Sequence, residues 1–258
     1  MGAPAPGELE SLTATLAGAG FVAADEEAAE LLARADGDAP LLAALVARRL
    51  TGEPLAWITG AQEFCGRSIR VDPGVYVPRW QTELLAGRAL ARLPAGGTAI
   101  DLCTGAGAIA AVLAARPARV LATDVDERAV ACARANGVDA HAGDLYGPVP
   151  AALAGTVDVV TGVVPYVPTG ELGLLQRDTF TFETALAYDG GAAGCAVLRR
   201  AVREAPRWLR PGGALLLELG GDQASLLAGD LAAAGFGDVR VLRDEDGDVR
   251  GVEATLAP

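Results

Sequence analysis

The residues with the clearest chemical potential form the run Asp101-Leu102-Cys103-Thr104-Gly105-Ala106-Gly107-Ala108. The run follows an apolar stretch and opens a helical one. Glycines at such a turn let the backbone approach a ligand closely, and the helix start offers free N–H groups. Asp124 closes the next apolar stretch, where a carboxylate accepts hydrogen bonds from both ribose hydroxyls. Together they read as a nucleotide site. The acid at the first position selects among nucleotides, because it repels a pyrophosphate and attracts the ammonium and sulfonium of S-adenosylmethionine (SAM). The placement therefore favours SAM over NAD. A third acid, Asp144 in Gly143-Asp144-Leu145-Tyr146, follows the third apolar stretch, where an adenine amino group is within reach. Its alternative is a turn carboxylate bonded to nearby backbone.

These residues need elements to position them. From Gly96 onward, short apolar runs alternate with helical spacing. Strands are expected over 98–102, 119–123, 138–142, 157–160 and 214–219, and helices over 109–115, 127–136, 198–209 and 223–234. Pro211-Gly212-Gly213 reads as a turn, and residues 239–242 and 251–256 as a final antiparallel edge pair around an acidic turn. Alternation of this kind argues for an α/β, doubly wound, mostly parallel seven-stranded sheet. Upstream, leucines and alanines at helical spacing from residue 8 to about 50 predict two or three helices, with Asp38 a cap for the third. Two short strands around Gly66 follow, and Thr82 is a candidate cap for the next helix. The expected organisation is a helical N-terminal lobe over 1–60, a hairpin linker over 61–78 and a SAM-binding catalytic domain over 79–258.

Composition narrows the function classes. The chain has 258 residues, 33 acidic and 21 basic side chains, all of the latter Arg, and a net charge of -12. A chain that acidic lacks the footprint of a phosphate-backbone binder, so no nucleic-acid partner is expected. No apolar run approaches the roughly 18 residues that span a bilayer, and MGAPAPGELE lacks the basic-then-apolar pattern of a signal peptide. No membrane partner is expected, and the expected location is cytoplasmic. Cys65, Cys103, Cys132 and Cys195 form no CxxC pair, and His141 is the single histidine, so free thiols and no metal site are expected. Nothing in the sequence speaks to oligomeric state.

The motifs together resemble one family. Residues 101–110, Thr123-Asp124, Gly143-Asp144-Leu145-Tyr146 and Pro165-Tyr166-Val167-Pro168 are similar to the protein-(glutamine) methyltransferases of HemK/PrmC type. So are Gly52-Glu53-Pro54-Leu55-Ala56, residues 60–66, Pro78-Arg79-Trp80-Gln81-Thr82-Glu83, Glu183, Ala185-Leu186, Gly190-Gly191, Pro211-Gly212-Gly213 and Glu218-Leu219-Gly220. The resemblance covers nearly the whole chain and is weakest before residue 45. It implies a class I methyltransferase fold, an N-terminal helical lobe, SAM as cofactor, and methylation of a glutamine amide on a translation factor or ribosomal protein. Candidate cofactor-binding residues are Asp101, Cys103, Thr104, Gly105, Gly107, Asp124, Val125, Asp144 and Leu145, with Arg79 and Thr82 from the 78–83 signature.

One departure bears on the chemistry. The family carries Asn-Pro-Pro-Tyr after the fourth strand of its sheet, and this chain carries Val163-Val164-Pro165-Tyr166. In the family the Asn side chain helps hold the substrate amide; valine neither donates nor accepts a hydrogen bond. Smaller departures are Cys103 for a glycine, expected to be tolerated, and Ala193-Gly194 for Asp-Gly. Candidate catalytic residues are Val163, Pro165 and Tyr166; candidate substrate residues are Trp80, Val164, Tyr166, Glu183 and Tyr188. Asp178, Glu183, Tyr188 and Asp189 are candidate bases in the segment expected to fold over the substrate, and His141 reads as structural. The sequence reading is a SAM-dependent transferase of HemK/PrmC type whose acceptor has shifted to a small molecule of specialised metabolism. Its alternatives are glutamine methylation of a release factor or ribosomal protein, SAM-assisted alkylation or cyclisation without methyl transfer, and a SAM-sensing protein without catalysis.

Overall fold

The computed structural model describes residues 7–175 and 181–258. Asp178 lies outside the described residues. Three helices, α1 (Glu8–Gly18), α2 (Ala24–Ala35) and α3 (Ala39–Leu50), open the chain, and a short α4 (Leu55–Thr59) leads out of them. In α2 the buried residues are Ala24, Ala28, Leu31 and Ala35, one face of an amphipathic helix. Asp38 caps α3 by accepting the Leu41 N–H at 2.9 Å, as its position predicts. The lobe has a core of its own built on Leu12, Leu16, Leu31, Leu45 and Ile58.

A buried ion pair fastens this core. The Arg49 guanidinium donates to both oxygens of Glu27, at 2.6 and 2.9 Å, and to the Glu53 carbonyl at 2.9 Å. It also stacks over Phe21, 3.9 Å from the ring centroid. Only 6% of the Arg49 side chain and 14% of that of Glu27 is exposed.

A hairpin of β1 (Ala61–Phe64) and β2 (Arg67–Arg70) follows, then α5 (Glu83–Arg92). The remaining chain builds a sheet from β3 (Thr98–Leu102), β4 (Arg119–Asp124), β5 (Asp139–Ala142), β6 (Val157–Gly162), β7 (Leu209–Glu218), β8 (Phe236–Arg243) and β9 (Val249–Leu256). The crossover helices are α6 (Ala108–Leu113), α7 (Glu127–Ala135), α8 (Ala196–Glu204) and α9 (Gln223–Ala233). The strand order is β5-β4-β3-β6-β7-β9-β8, parallel except for β9, which is antiparallel to both neighbours. The central strands are apolar on both sides because helices cover both faces. Ala99, Ala122 and Leu216 join α5, α6, α7 and the hairpin in one core layer; Ile100, Leu121 and Leu217 join α8 and α9 in the other. Among the described residues no helix is long and apolar enough to cross a membrane.

Two expectations about the sheet change. The final pair is not simply an edge: the last strand inserts between β7 and β8, and β8 takes the edge. Pro211-Gly212-Gly213 is not a separate turn but lies within β7, where the register against β6 shifts. A side chain at Gly213 would come 3.0 Å from the Val157 carbonyl, so glycine permits the strand to continue through the irregularity. Parallel topology places the carboxyl ends of β3, β4 and β6, and hence Asp101, Asp124 and Val163, along one rim, where open α/β sheets bind ligands.

The lobe's buried pair yields a stability prediction. Arg49→Ala strands Glu27 in a low-dielectric site, so urea unfolding is expected to report a loss of about 3–5 kcal/mol. A loss under about 1 kcal/mol, the value for an exposed pair, contradicts this reading.

Candidate functional site

The turn after β3 sets the site. Cys103 adopts φ 51°, a left-handed conformation that L-residues rarely take, and Gly105 and Gly107 follow with φ 56° and 82°. The turn is pinned to the neighbouring strand by the Thr104 N–H, which donates to the Thr123 carbonyl at 3.0 Å. The Gly105 N–H donates to Asp124 Oδ2 at 2.9 Å, and the Asp126 N–H to Asp124 Oδ1 at 2.9 Å. Asp124 is thereby oriented with acceptor capacity left for ribose hydroxyls.

Two clefts flank this turn. The first, of about 560 Å³, is lined by Asp124, Val125, Cys103, Gly105, Val163 and Pro165, among others. The second, of about 370 Å³, is lined by Asp101, Thr82, Thr104, Cys103, Gly105 and Val163, among others. Tyr76 borders both. Beyond it lies a wider groove of about 1220 Å³, bordered by Tyr76, Arg79, Trp80, Tyr166, Tyr188 and Glu218.

Asp101 is the electrostatic centre of the second cleft. It is 1% exposed and accepts the Thr104 hydroxyl at 2.6 Å. Burial pushes its carboxyl up to about 7, against the opposing pull of the Thr104 hydrogen bond. Among the described residues no arginine pairs with it. A buried carboxylate beside a cleft, lacking a cation of its own, fits the ammonium end of SAM. Asp124 in the other cleft suits the ribose, and burial raises its carboxyl too, offset by the backbone N–H groups it accepts. The residues present therefore fit the methionine and ribose parts of SAM.

The acceptor side is organised by two buried glutamates. Glu183 accepts the Val77 N–H at 2.8 Å and Arg79 Nη2 at 2.6 Å, and also bonds the Tyr188 hydroxyl. Arg79 in turn donates to the Tyr188 oxygen at 3.1 Å. These contacts hold Thr184, Leu186 and Ala187 against the first cleft. Glu218, at the end of β7, accepts the Thr82 hydroxyl at 2.6 Å and the Tyr166 hydroxyl at 3.0 Å. Burial raises the Glu218 carboxyl, and those hydroxyls offset part of the rise. The loop after Tyr166 is closed by glycines: a side chain at Gly194 would come 2.1 Å from the Tyr166 carbonyl. That carbonyl instead accepts Gln223 Nε2 at 2.6 Å.

Several expected site residues are placed differently. Val164 is 1% exposed and packs into the core under β6, because the chain alternates sides there while Val163 faces the clefts. Glu183 is a buried tie between segments and does not face the groove. Asp144 does not line either cleft; it pairs with Arg200 at 2.6 Å. Leu145 is buried in the core with φ 45°. Gly107 packs α6 on α7, since a side chain there would meet Ala133 and Val138 at 3.0 Å. Arg79 lies on the groove with Glu183, not on the cofactor clefts. Thr82 lines a cofactor cleft but makes no side-chain cap to α5; its hydroxyl serves Glu218. Tyr166, Tyr188 and Trp80 border the groove, and Trp80 is exposed with Arg250 over its ring. His141 lies on β5 beside Asp139 at 2.9 Å, away from the clefts, and Asp189 accepts the Thr169 hydroxyl and the Gly191 N–H. All four cysteines are free, and among the described residues no cluster has metal-binding composition. Sequence reasoning missed Tyr76. Its signal was the alternation Val75-Tyr76-Val77, in which both valines are buried and the tyrosine turns the other way.

Two predictions rest on this geometry. SAM-derived ammonium is attracted by ionised Asp101 only, so lowering pH through about 7 removes the attraction. The Kd of S-adenosylhomocysteine, which keeps the ammonium, is expected to rise about tenfold from pH 8 to pH 6, and Asp101→Asn to flatten that profile. A profile equally steep in parent and variant contradicts the assignment. At Cys103 the left-handed backbone tolerates glycine and penalises branching. Thermal unfolding is expected to hold or rise for Cys103→Gly, and Cys103→Val to cost about 1–3 kcal/mol. Equal stability of the two variants contradicts this.

Comparison with known proteins agrees with the site. A family model described as "Methyltransferase small domain" matches residues 69–148. A release factor glutamine methyltransferase of Mycolicibacterium smegmatis is 38% identical over 272 aligned positions, covering 96% of each chain. One from Geobacter sulfurreducens is 36% identical over 211 positions, covering 79% of this chain and 73% of the relative. The solved E. cuniculi complex responsible for methylation of the eRF1 translation termination factor aligns with a TM-score of 0.54 at 23% identity, over 72% of this chain and 99% of that one, a likeness of fold. With SAM-fitting clefts on a seven-stranded methyltransferase sheet and relatives of this identity along its length, the chain belongs to the release factor glutamine methyltransferase family, HemK/PrmC-type enzymes that use SAM.

Proposed function

We propose that this methyltransferase acts on the glutamine side-chain amide of a protein, with a release factor as the substrate class. The observation that carries the reading is similarity along the chain to enzymes of that name, joined to an open groove of about 1220 Å³ beside the cofactor clefts. This departs from the small-molecule acceptor that Val163 alone suggests.

SAM supplies a methyl group on a sulfonium, an electrophile that needs little help beyond placement. Asp101 faces the ammonium end of the cofactor and Asp124 its ribose. Val163 and Pro165 line the cleft and give the reacting centre an apolar wall on that side. The amide enters from the groove side, past Tyr166 and Tyr188. An amide nitrogen is a weak nucleophile, so orientation of its lone pair is the main task left to the protein. The bond formed is N–CH3 and the bond broken is S–CH3, with the sulfur keeping the pair and a proton leaving the nitrogen for solvent.

The apolar Val163 favours a second reading, a small-molecule acceptor that needs no hydrogen bond at that position. One experiment separates them. The enzyme is incubated with methyl-labelled SAM and a glutamine-bearing release-factor domain, and the protein is analysed by peptide mass spectrometry. The expected result is one added methyl on a glutamine side chain from the parent enzyme. Label on the domain only with Val163→Asn, alongside unaltered S-adenosylhomocysteine binding by the parent, contradicts the glutamine reading and supports the second.

A further inference from the structure

Val163 leaves a gap in the chemistry: the side chain that faces the clefts after β6 has no polar atom to hold an amide. The structure offers a replacement at the junction of its cavities. Among the described residues, Tyr76 alone borders both cofactor clefts and the groove. It therefore stands where the groove and the two cofactor clefts come together.

Tyr76 is held for such a task. On one side Trp57 Nε1 donates to the Val75 carbonyl at 2.9 Å; on the other the Val77 N–H is fixed by Glu183 at 2.8 Å. Its backbone packs on the cofactor turn, where a side chain at Gly105 would lie 3.9 Å from the Tyr76 carbonyl oxygen. Its ring meets Tyr188 edge-on at 5.6 Å between centroids, and the Arg79 guanidinium sits 5.2 Å from its centroid. Glu183 holds Arg79 in turn at 2.6 Å. Burial keeps the phenol neutral well above its ordinary range, despite Arg79. Arg79 lies against the ring and gives its hydrogen bonds to Glu183 and Tyr188, which leaves the acceptor position of the phenol oxygen for another donor.

Resting on the glutamine reading, we propose that Tyr76 is a catalytic residue whose phenol oxygen accepts an N–H of the substrate carboxamide. It thereby takes over orientation of the nitrogen lone pair in a site whose β6 end carries valine. The electron pair of the nitrogen forms the new N–C bond, the S–C pair stays on sulfur, and the nitrogen's surplus proton leaves to water in the groove. The phenol stays neutral throughout.

The test compares steady-state methylation of a glutamine-bearing release-factor domain by parent, Tyr76→Phe, and Tyr76→Phe combined with Val163→Asn. Tyr76→Phe keeps the ring and removes the oxygen. Expected is a fall in kcat of about 10- to 100-fold, with KM for the domain and Kd for S-adenosylhomocysteine within about threefold of parent. Adding Val163→Asn is expected to restore most of the loss, a rescue that a packing role does not produce. A kcat within twofold of parent for Tyr76→Phe overturns the inference and leaves the glutamine reading standing. A kcat loss matched by an equal loss of S-adenosylhomocysteine affinity also overturns it. No methylation of the domain by the parent removes the glutamine reading itself, and this inference with it.

Discussion

The Glu183 carboxylate is the contact on which the site depends. It is 4% exposed and bonds three donors from two distant stretches of chain: the Val77 N–H, the Arg79 guanidinium and the Tyr188 hydroxyl. A buried carboxylate is stable only when it is paired and hydrogen-bonded, and here three donors of the protein do this. The consequence is geometric. The stretch from Glu183 to Tyr188 is drawn onto the stretch from Val75 to Arg79, and the first cofactor cleft exists between them and the turn after β3. Tyr76 is fixed by the same contact.

A second constraint is the buried charge left for the ligand. Asp101 is deep at the end of β3, with a hydroxyl for a partner and, among the described residues, no arginine. Arginines elsewhere pair with acids of the protein: Arg79 with Glu183, Arg88 and Arg92 with Glu253, Arg250 with Asp244. In a chain of net charge -12, Asp101 is thus fitted to a cationic ligand. The two glutamates divide the groove between them, with Glu183 setting Arg79 and Tyr188, and Glu218 setting Thr82 and Tyr166.

The sheet and the cofactor turn were legible because both are local in sequence. Strand periodicity, Asp101 followed by a glycine turn, and Asp124 at the next strand end need no tertiary knowledge to read. The insertion of the last strand between β7 and β8 was not legible, because pairing order is set by packing across the sheet and not by the strands' own composition. The roles of polar residues were the least legible. Glu183, Asp144 and Arg79 are spaced as site residues, but their partners Val77, Arg200 and Glu183 lie far along the chain, and partners decide whether a charge faces ligand or protein. Cys103 illustrates the same limit for backbone: small size is legible, whereas φ 51° is a property of the folded turn.

The Glu183 tie builds the first cleft from outside it, since Glu183 is not among the residues that line it. The most direct measurement is calorimetric titration of S-adenosylhomocysteine into parent and Glu183→Ala, with far-UV circular dichroism confirming that both are folded. The account predicts a Kd at least about tenfold weaker in the variant, because Thr184, Leu186 and Ala187 lose their anchor against the cleft. A folded Glu183→Ala that binds S-adenosylhomocysteine as tightly as the parent contradicts it.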